Sequence, residues 1–168
     1  MLLGNLLKSV SKNYKKISVK GISFDSRKVK KKDIFFAVKG NQTSGIKFIN
    51  NALLKGASAI VSSKKIRHTN CPIPFLLVKD VRKSLSEACS NFYKEKPSNI
   101  VAVTGTNGKS SVADFFYQIL SLNKISAASI GTLGIISKKY NKKINLTSMN
   151  PLSLHKNLQI LVRIMSIM

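Results

Sequence analysis

The stretch "TGTNGKSS" at residues 104–111 combines glycines, a lysine and two serines, the residue types that bind phosphate. An apolar run at residues 100–103 precedes it and predicts a strand. Apolar residues at helical spacing follow it and predict a helix. Between a strand and a helix start, backbone N–H groups converge on an anion, and the helix dipole favours negative charge. The pattern predicts a polyphosphate site.

Each residue type in this turn has a role in that prediction. Gly105 and Gly108 let the backbone turn tightly and approach the phosphates. Lys109 reaches the β and γ oxygens, and the Ser110 hydroxyl takes a place on Mg²⁺. The generic phosphate-loop pattern fails, however, because Val103 stands where it requires a glycine. Taken alone, the residues leave a surface turn with a solvated lysine as the alternative.

Strands and helices alternate along the chain, which predicts an α/β protein. Pro97, in "KEKPSN", marks a boundary between two predicted domains, 1–96 and 97–168. The predicted strands are residues 19–27, 33–40, 57–63, 74–80, 100–103 and 126–131. The predicted helices are residues 2–10, 46–56, 81–96, 112–120 and 151–158. The strand at 126–131 would complete a βαβ unit with the strand before the phosphate turn.

The charge of the chain is strongly positive. Formal net charge is +23, from 29 Lys and Arg against 6 Asp and Glu, which attracts polyanions. The lysines are nevertheless scattered through every segment, and no aromatic residues interleave with them as a stacking groove for nucleic acid would need. Abundant Lys, Asn and Ile is typical of the surface of a protein from an AT-rich genome. We therefore expect no specific nucleic-acid site, although a basic binding module stays open as an alternative.

The two cysteines and the apolar segments exclude other classes. Cys71 and Cys89 are too far apart for a metal-binding pair, and no histidines cluster near them, so neither a zinc site nor a disulfide framework is expected. No apolar run reaches membrane-spanning length, and the first residues do not resemble a secretion signal. We expect a soluble cytoplasmic protein with no membrane insertion.

Several longer strings resemble one family, the Mur ligases. "VAVTGTNGKSS" resembles their ATP-binding loop, which departs from the generic pattern in the same way. "FDSRKVKKKDIFFAVKGNQTSGIKFINNALLKGASAIV" resembles their N-terminal domain, which cradles the uridine diphosphate of the substrate. "IGTLG" and "LTSMNPLSLH" resemble the member that adds diaminopimelate or lysine to UDP-N-acetylmuramoyl-alanyl-glutamate. The resemblance runs from about Gly21 to His155.

The resemblance implies two sets of binding residues. ATP would be bound by the phosphate turn: Gly105, Thr106, Asn107, Gly108, Lys109, Ser110 and Ser111. The UDP-N-acetylmuramoyl dipeptide would be bound by Phe24, Ser26, Asn41, Gln42, Thr43, Thr147 and Ser148. Structural roles are the alternatives: Ser26 could cap a turn, Gln42 could be a solvated loop residue, and Thr147 with Ser148 could cap the helix that follows. His155 is expected on a helix surface.

The activity that the resemblance implies is amide ligation in peptidoglycan precursor synthesis. ATP would phosphorylate the glutamate carboxylate, and an amine would attack the acyl phosphate, with Lys109 and Mg²⁺ on Ser110 neutralising the transferring phosphoryl group. The family also suggests a monomer. The chain is expected to be a truncated or frame-shifted copy, inactive alone, with an open sheet edge in its ATP-binding part and its last dozen or so residues out of frame. The alternative is a natural fragment that ends in a helix. A folylpolyglutamate-type ligase remains a second alternative.

Overall fold

The computed structural model describes residues 1–40, 43–65, 72–144 and 149–166. The chain divides into two compact units, Met1–Phe92 (unit 1) and Tyr93–Met168 (unit 2). Each unit combines helices with strands, and the predicted α/β class is confirmed. No helix in the described part of the chain is long and apolar enough to cross a bilayer.

Unit 1 is built on a parallel sheet. Its strands are β1 (Gly21–Ser23), β2 (Asp33–Phe36), β3 (Ala59–Ser62) and β4 (Phe75–Leu77), and they pair in that order. Every residue of β2 and β3 is buried, as expected of central strands covered on both faces. Because all neighbours are parallel, the carboxyl ends of the four strands lie at one edge of the sheet and their amino ends at the other.

The helices of unit 1 are α1 (Leu3–Leu6), α2 (Ile49–Leu54) and α3 (Val81–Phe92). Ile49 and Ala52 of α2 pack on Phe35 and Ile60 of the sheet. A glycine ends α2: Gly56 has φ 83° and donates its N–H to the Leu53 carbonyl at 2.9 Å.

Two helix predictions in unit 1 were too long. The helix predicted at 2–10 is a four-residue helix, although Leu3, Leu6, Leu7 and Val10 are all buried. The spacing of these apolar residues therefore reflects the burial of the segment, most of which is irregular rather than helical. The helix predicted at 81–96 ends at Phe92, well before Pro97.

Unit 2 contains α4 (Lys109–Leu122), β5 (Ala128–Gly131), β6 (Gly134–Ser137) and α5 (Pro151–Met165). β5 and β6 form an antiparallel hairpin. Gly134 has φ 108°, and a side chain there would collide with the Lys142 carbonyl, so this position requires glycine.

The final helix, α5, starts at a capped turn, and an ion pair holds it near its C-terminal end. Asn150 is the N-cap, since its Oδ1 accepts the Ser153 N–H at 2.9 Å, and Pro151 takes the first helical position. The cap is thus Asn150, and not Thr147 or Ser148, which lie outside the described residues. The Arg163 guanidinium makes a bidentate pair with Glu95 at 2.7 and 2.9 Å.

The predicted βαβ unit around the phosphate turn is not formed. Residues 100–103 belong to no strand, and Ile100 and Val101 are 61% and 67% exposed. β5 pairs antiparallel with β6 instead of parallel with this segment. The apolar run has the composition of a buried strand, but a strand also needs a neighbour, and no described strand pairs with it.

Candidate functional site

The phosphate turn lies directly before α4. Gly105 has φ 150° and Gly108 has φ 76°, backbone conformations that favour glycine. A Cβ at Gly108 would meet no atom within 4 Å, so the glycine serves the backbone conformation rather than a close contact. Gly108 is the N-cap, and its carbonyl accepts the Val112 N–H at 3.0 Å. Free N–H groups at the helix start therefore face the turn.

Lys109 folds back over this turn. Its Nζ donates to the Gly105 carbonyl at 2.5 Å and to the Thr106 carbonyl at 2.8 Å. Both hydrogen bonds are solvent-exposed, which makes them weak relative to a contact with an anion. A full positive charge thus lies beside the positive end of the α4 dipole, and the arrangement fits a polyphosphate.

A hydroxyl pair adjoins the turn. Ser110 Oγ lies 2.7 Å from Thr132 Oγ1, in the turn between β5 and β6. Such oxygens suit a hard cation such as Mg²⁺, so the residues present fit the predicted metal. Among the described residues there is no group of three or more His, Cys, Asp or Glu that could hold a metal. The sequence analysis did not single out Thr132, although it lies in the "IGTLG" string.

The second set of predicted residues begins after β1. Phe24 is half-buried and Ser26 is buried, in a 3₁₀ turn at Ser26–Lys28. Asp25 caps this turn by accepting the Arg27 N–H at 3.0 Å, and the Arg27 guanidinium holds both oxygens of the same carboxylate. These hydrogen bonds from Arg27 lower the pKa of Asp25. Asp25 is the cap here, so Ser26 does not need to serve as one.

Thr43 follows β2, the neighbour of β1. It is exposed, and its carbonyl accepts the Gly40 N–H at 2.9 Å. The structure therefore brings Phe24, Ser26 and Thr43 to the carboxyl edge of one parallel sheet, a common position for ligand sites. Asn41, Gln42, Thr147 and Ser148 lie outside the described residues.

Two other residues discussed from the sequence have structural roles. Cys89 is buried in unit 1, and desolvation raises the pKa of its thiol to about 12, so it stays protonated and unreactive. Cys71 is outside the described residues. His155 was expected on a helix surface, but it is half-buried and its Nδ1 is buried without a hydrogen-bond partner.

Two family models match the chain. The model described as "Mur ligase family, catalytic domain" matches residues 18–93, and the model described as "Mur ligase middle domain" matches residues 103–166. The chain belongs to the Mur ligase family. The middle-domain match extends through α5, which runs against the expectation that the last dozen residues are out of frame.

Two curated relatives that match this chain carry the same name. A Rickettsia montanensis protein named UDP-N-acetylmuramoyl-L-alanyl-D-glutamate--2,6-diaminopimelate ligase is 46% identical over 143 residues, covering 82% of this chain and 29% of the relative. A Bradyrhizobium diazoefficiens protein of the same name is 40% identical over 147 residues, covering 88% and 30%. The chain thus spans just under a third of the length of these relatives.

Solved structures share the fold. A structure of a ligase with that same name has a TM-score of 0.80 at 24% identity, covering 97% of this chain and 34% of the other. The MurF ligase of Thermotoga maritima, solved in complex with ADP, has a TM-score of 0.53 at 27% identity, covering 82% and 29%.

Proposed function

We propose that this chain supplies the nucleotide-binding and UDP-substrate-binding parts of a peptidoglycan-precursor ligase. The reaction would be ATP-dependent amide ligation through an acyl phosphate, adding the third amino acid to UDP-N-acetylmuramoyl-alanyl-glutamate. The observation that carries the proposal is the turn at Gly105–Ser110, with two glycines at positive φ, Lys109 folded over it and α4 starting behind it. The names of the relatives supply the substrate.

In this proposal the phosphate turn acts electrostatically. The free N–H groups in the turn and at the start of α4, from Gly105 through Ser111, bind phosphate oxygens. Lys109 exchanges its two carbonyl partners for the β and γ oxygens and neutralises charge on the transferring phosphoryl group. Ser110, with Thr132 beside it, would hold Mg²⁺, which supplies further charge neutralisation when bound.

Unit 1 would hold the other substrate. Phe24, Ser26 and Thr43 at the carboxyl edge of the sheet, with Asn41 and Gln42, would bind the uridine nucleotide. Thr147 and Ser148 would bind the muramoyl-peptide side. The division into 1–96 for the UDP-substrate domain and 97–168 for the ATP-binding part, a monomeric state and a cytoplasmic setting belong to the same proposal.

Calorimetry with ATP and Mg²⁺ tests the role of Lys109. We expect the chain to bind the nucleotide and Lys109→Ala to weaken binding about 10- to 100-fold, because a charged hydrogen-bond donor to the phosphates is lost. Lys138→Ala is the matched control, since it removes an exposed lysine from the same unit. Unchanged ATP affinity in Lys109→Ala would contradict the assignment and favour a solvated surface lysine.

A further inference from the structure

One edge of unit 1 is densely basic. Exposed lysines precede the amino ends of β1 and β2, and Lys55, which follows α2, precedes β3. We call this set the basic face; its members are Lys20, Lys28, Lys30, Lys31, Lys32 and Lys55.

Backbone contacts join these lysines into one surface. The Lys20 N–H donates to the Lys32 carbonyl at 2.9 Å, and the Lys32 N–H donates to the Gly56 carbonyl at 2.8 Å. An added Cβ on Gly56 would lie 3.4 Å from the Lys31 Cα, so the α2 end packs on the lysine-rich loop. The scattered lysines of the sequence are thus gathered by the parallel sheet.

The acidic residues nearby do not neutralise the basic face. Asp25 is held by the Arg27 guanidinium. Asp33 is buried, and one of its oxygens accepts the Lys30 N–H at 2.9 Å. The Lys55 ammonium donates to the Arg27 carbonyl at 2.6 Å, and the six exposed lysines outnumber Asp33, so the basic face is positive overall.

An apolar side chain protrudes beside these lysines. Leu54 is 89% exposed and directly precedes Lys55 at the end of α2. An exposed leucine side chain has an unfavourable free energy of hydration and contributes nothing to the core of unit 1. A leucine beside several lysines matches a bilayer surface, where lysines meet anionic head groups and the apolar side chain enters the acyl boundary.

We propose that the basic face docks unit 1 on an anionic phospholipid bilayer, with Leu54 inserted at the surface. Nucleic acid fits less well, since the guanidinium of Arg27, next to Lys28, is held by Asp25, no aromatic side chain belongs to the basic face, and Leu54 would gain nothing from a phosphodiester backbone. Lys20, Lys30, Lys31 and Lys32 of the basic face lie at the amino edge of the sheet, whereas Lys28 ends the 3₁₀ turn that contains Ser26. Docking through the amino edge leaves Phe24 and Thr43, at the carboxyl edge, open to solvent.

Vesicle co-sedimentation of the full chain tests how far the lysines of the basic face contribute to membrane binding. Binding to phosphatidylcholine vesicles should require added phosphatidylglycerol and should weaken as salt is raised. The triple variant Lys28→Gln/Lys30→Gln/Lys31→Gln should lower the partition coefficient roughly 100-fold. Its matched control is Lys138→Gln/Lys139→Gln/Lys143→Gln, which removes the same charge from exposed sites in unit 2. Equal losses in both triples, or equal binding without phosphatidylglycerol, would overturn the proposal.

Fluorescence tests the insertion of Leu54. The chain contains no tryptophan, so Leu54→Trp introduces a single reporter, and Leu122→Trp is a control at a side chain that is 82% exposed in unit 2. Vesicles containing phosphatidylglycerol should shift the emission of Leu54→Trp to the blue and leave Leu122→Trp nearly unchanged. Emission from Leu54→Trp that shifts only with duplex DNA, or that never shifts, would overturn membrane docking.

Discussion

The hydroxyls of Ser110 and Thr132 lie close enough to share one ligand, although 22 positions separate them in the chain. If both lie next to Mg²⁺, Ser110→Ala and Thr132→Val should each raise the Mg²⁺ concentration needed for tight ATP binding. Affinity measured without Mg²⁺ should stay the same, because Lys109 and the turn are intact. Calorimetry over a Mg²⁺ series checks this, with Ser121→Ala on an exposed position of α4 as the control. An unchanged Mg²⁺ requirement would remove these hydroxyls from the metal site.

His155 makes a pH-dependent contribution to the stability of unit 2. Burial, with the nearby charge of Lys96 as a smaller cause, lowers the pKa of His155 below 6.5. The folded state then binds fewer protons than the unfolded state, so stability is present above pH 6.5 and is lost as the pH falls below it. An NMR titration should give a pKa below 6.5 for His155 in the folded chain and near 6.5 in urea. A folded value at or above 6.5 would contradict the effect of burial.

Among the secondary-structure elements, β2 and α4 differ in where their apolar side chains lie: those of β2 are buried, and several of those of α4 are exposed. Phe35 in β2 is fully buried, whereas Phe115 in α4 is 61% exposed. The neighbouring apolar side chains of α4, Val112 and Ile119, are exposed to a similar degree. Phe35→Ala should destabilise unit 1 by about 3–5 kcal/mol, because it leaves a cavity in the core. Phe115→Ala should change the stability of unit 2 by less than about 1 kcal/mol and should reduce aggregation.

Urea unfolding and light scattering of the two variants measure these effects. An equal loss of stability in Phe115→Ala would show that the α4 face is covered in solution. Unchanged scattering would show that the face does not drive association.

Elements with a strong local signal could be predicted from the sequence. β2 and β3 are continuous apolar runs, and α4 combines helical spacing with a glycine-rich start, so their types and places were predicted correctly. The strand at residues 100–103 was predicted wrongly, and β5 was predicted as a strand but with the wrong partner, because strand pairing depends on neighbours that a local pattern does not contain. For the same reason, the contact between Ser110 and Thr132 and the collection of lysines at one sheet edge appeared only in the fold.

The whole molecule consists of two compact units with separate candidate sites. The sheet, core and helices of unit 1 lie within Met1–Phe92, so we expect residues 1–92 expressed alone to fold cooperatively. Circular dichroism with urea unfolding checks this. A single transition with a midpoint close to the first transition of the full chain is expected. A fragment without a cooperative transition would mean that unit 1 depends on residues beyond Phe92.

The binding of UDP-N-acetylmuramoyl-alanyl-glutamate to the ¹⁵N-labelled chain tests the central claim most directly, since a folylpolyglutamate-type ligase or a basic binding module would have no site for a uridine nucleotide. The account predicts saturable amide shifts that include Phe24, Ser26 and Thr43, with UDP reproducing most of them. Lys109→Ala should leave these shifts intact, because its site lies in the other unit. No shifts at millimolar ligand, or shifts confined to the lysines of the basic face, would contradict the account.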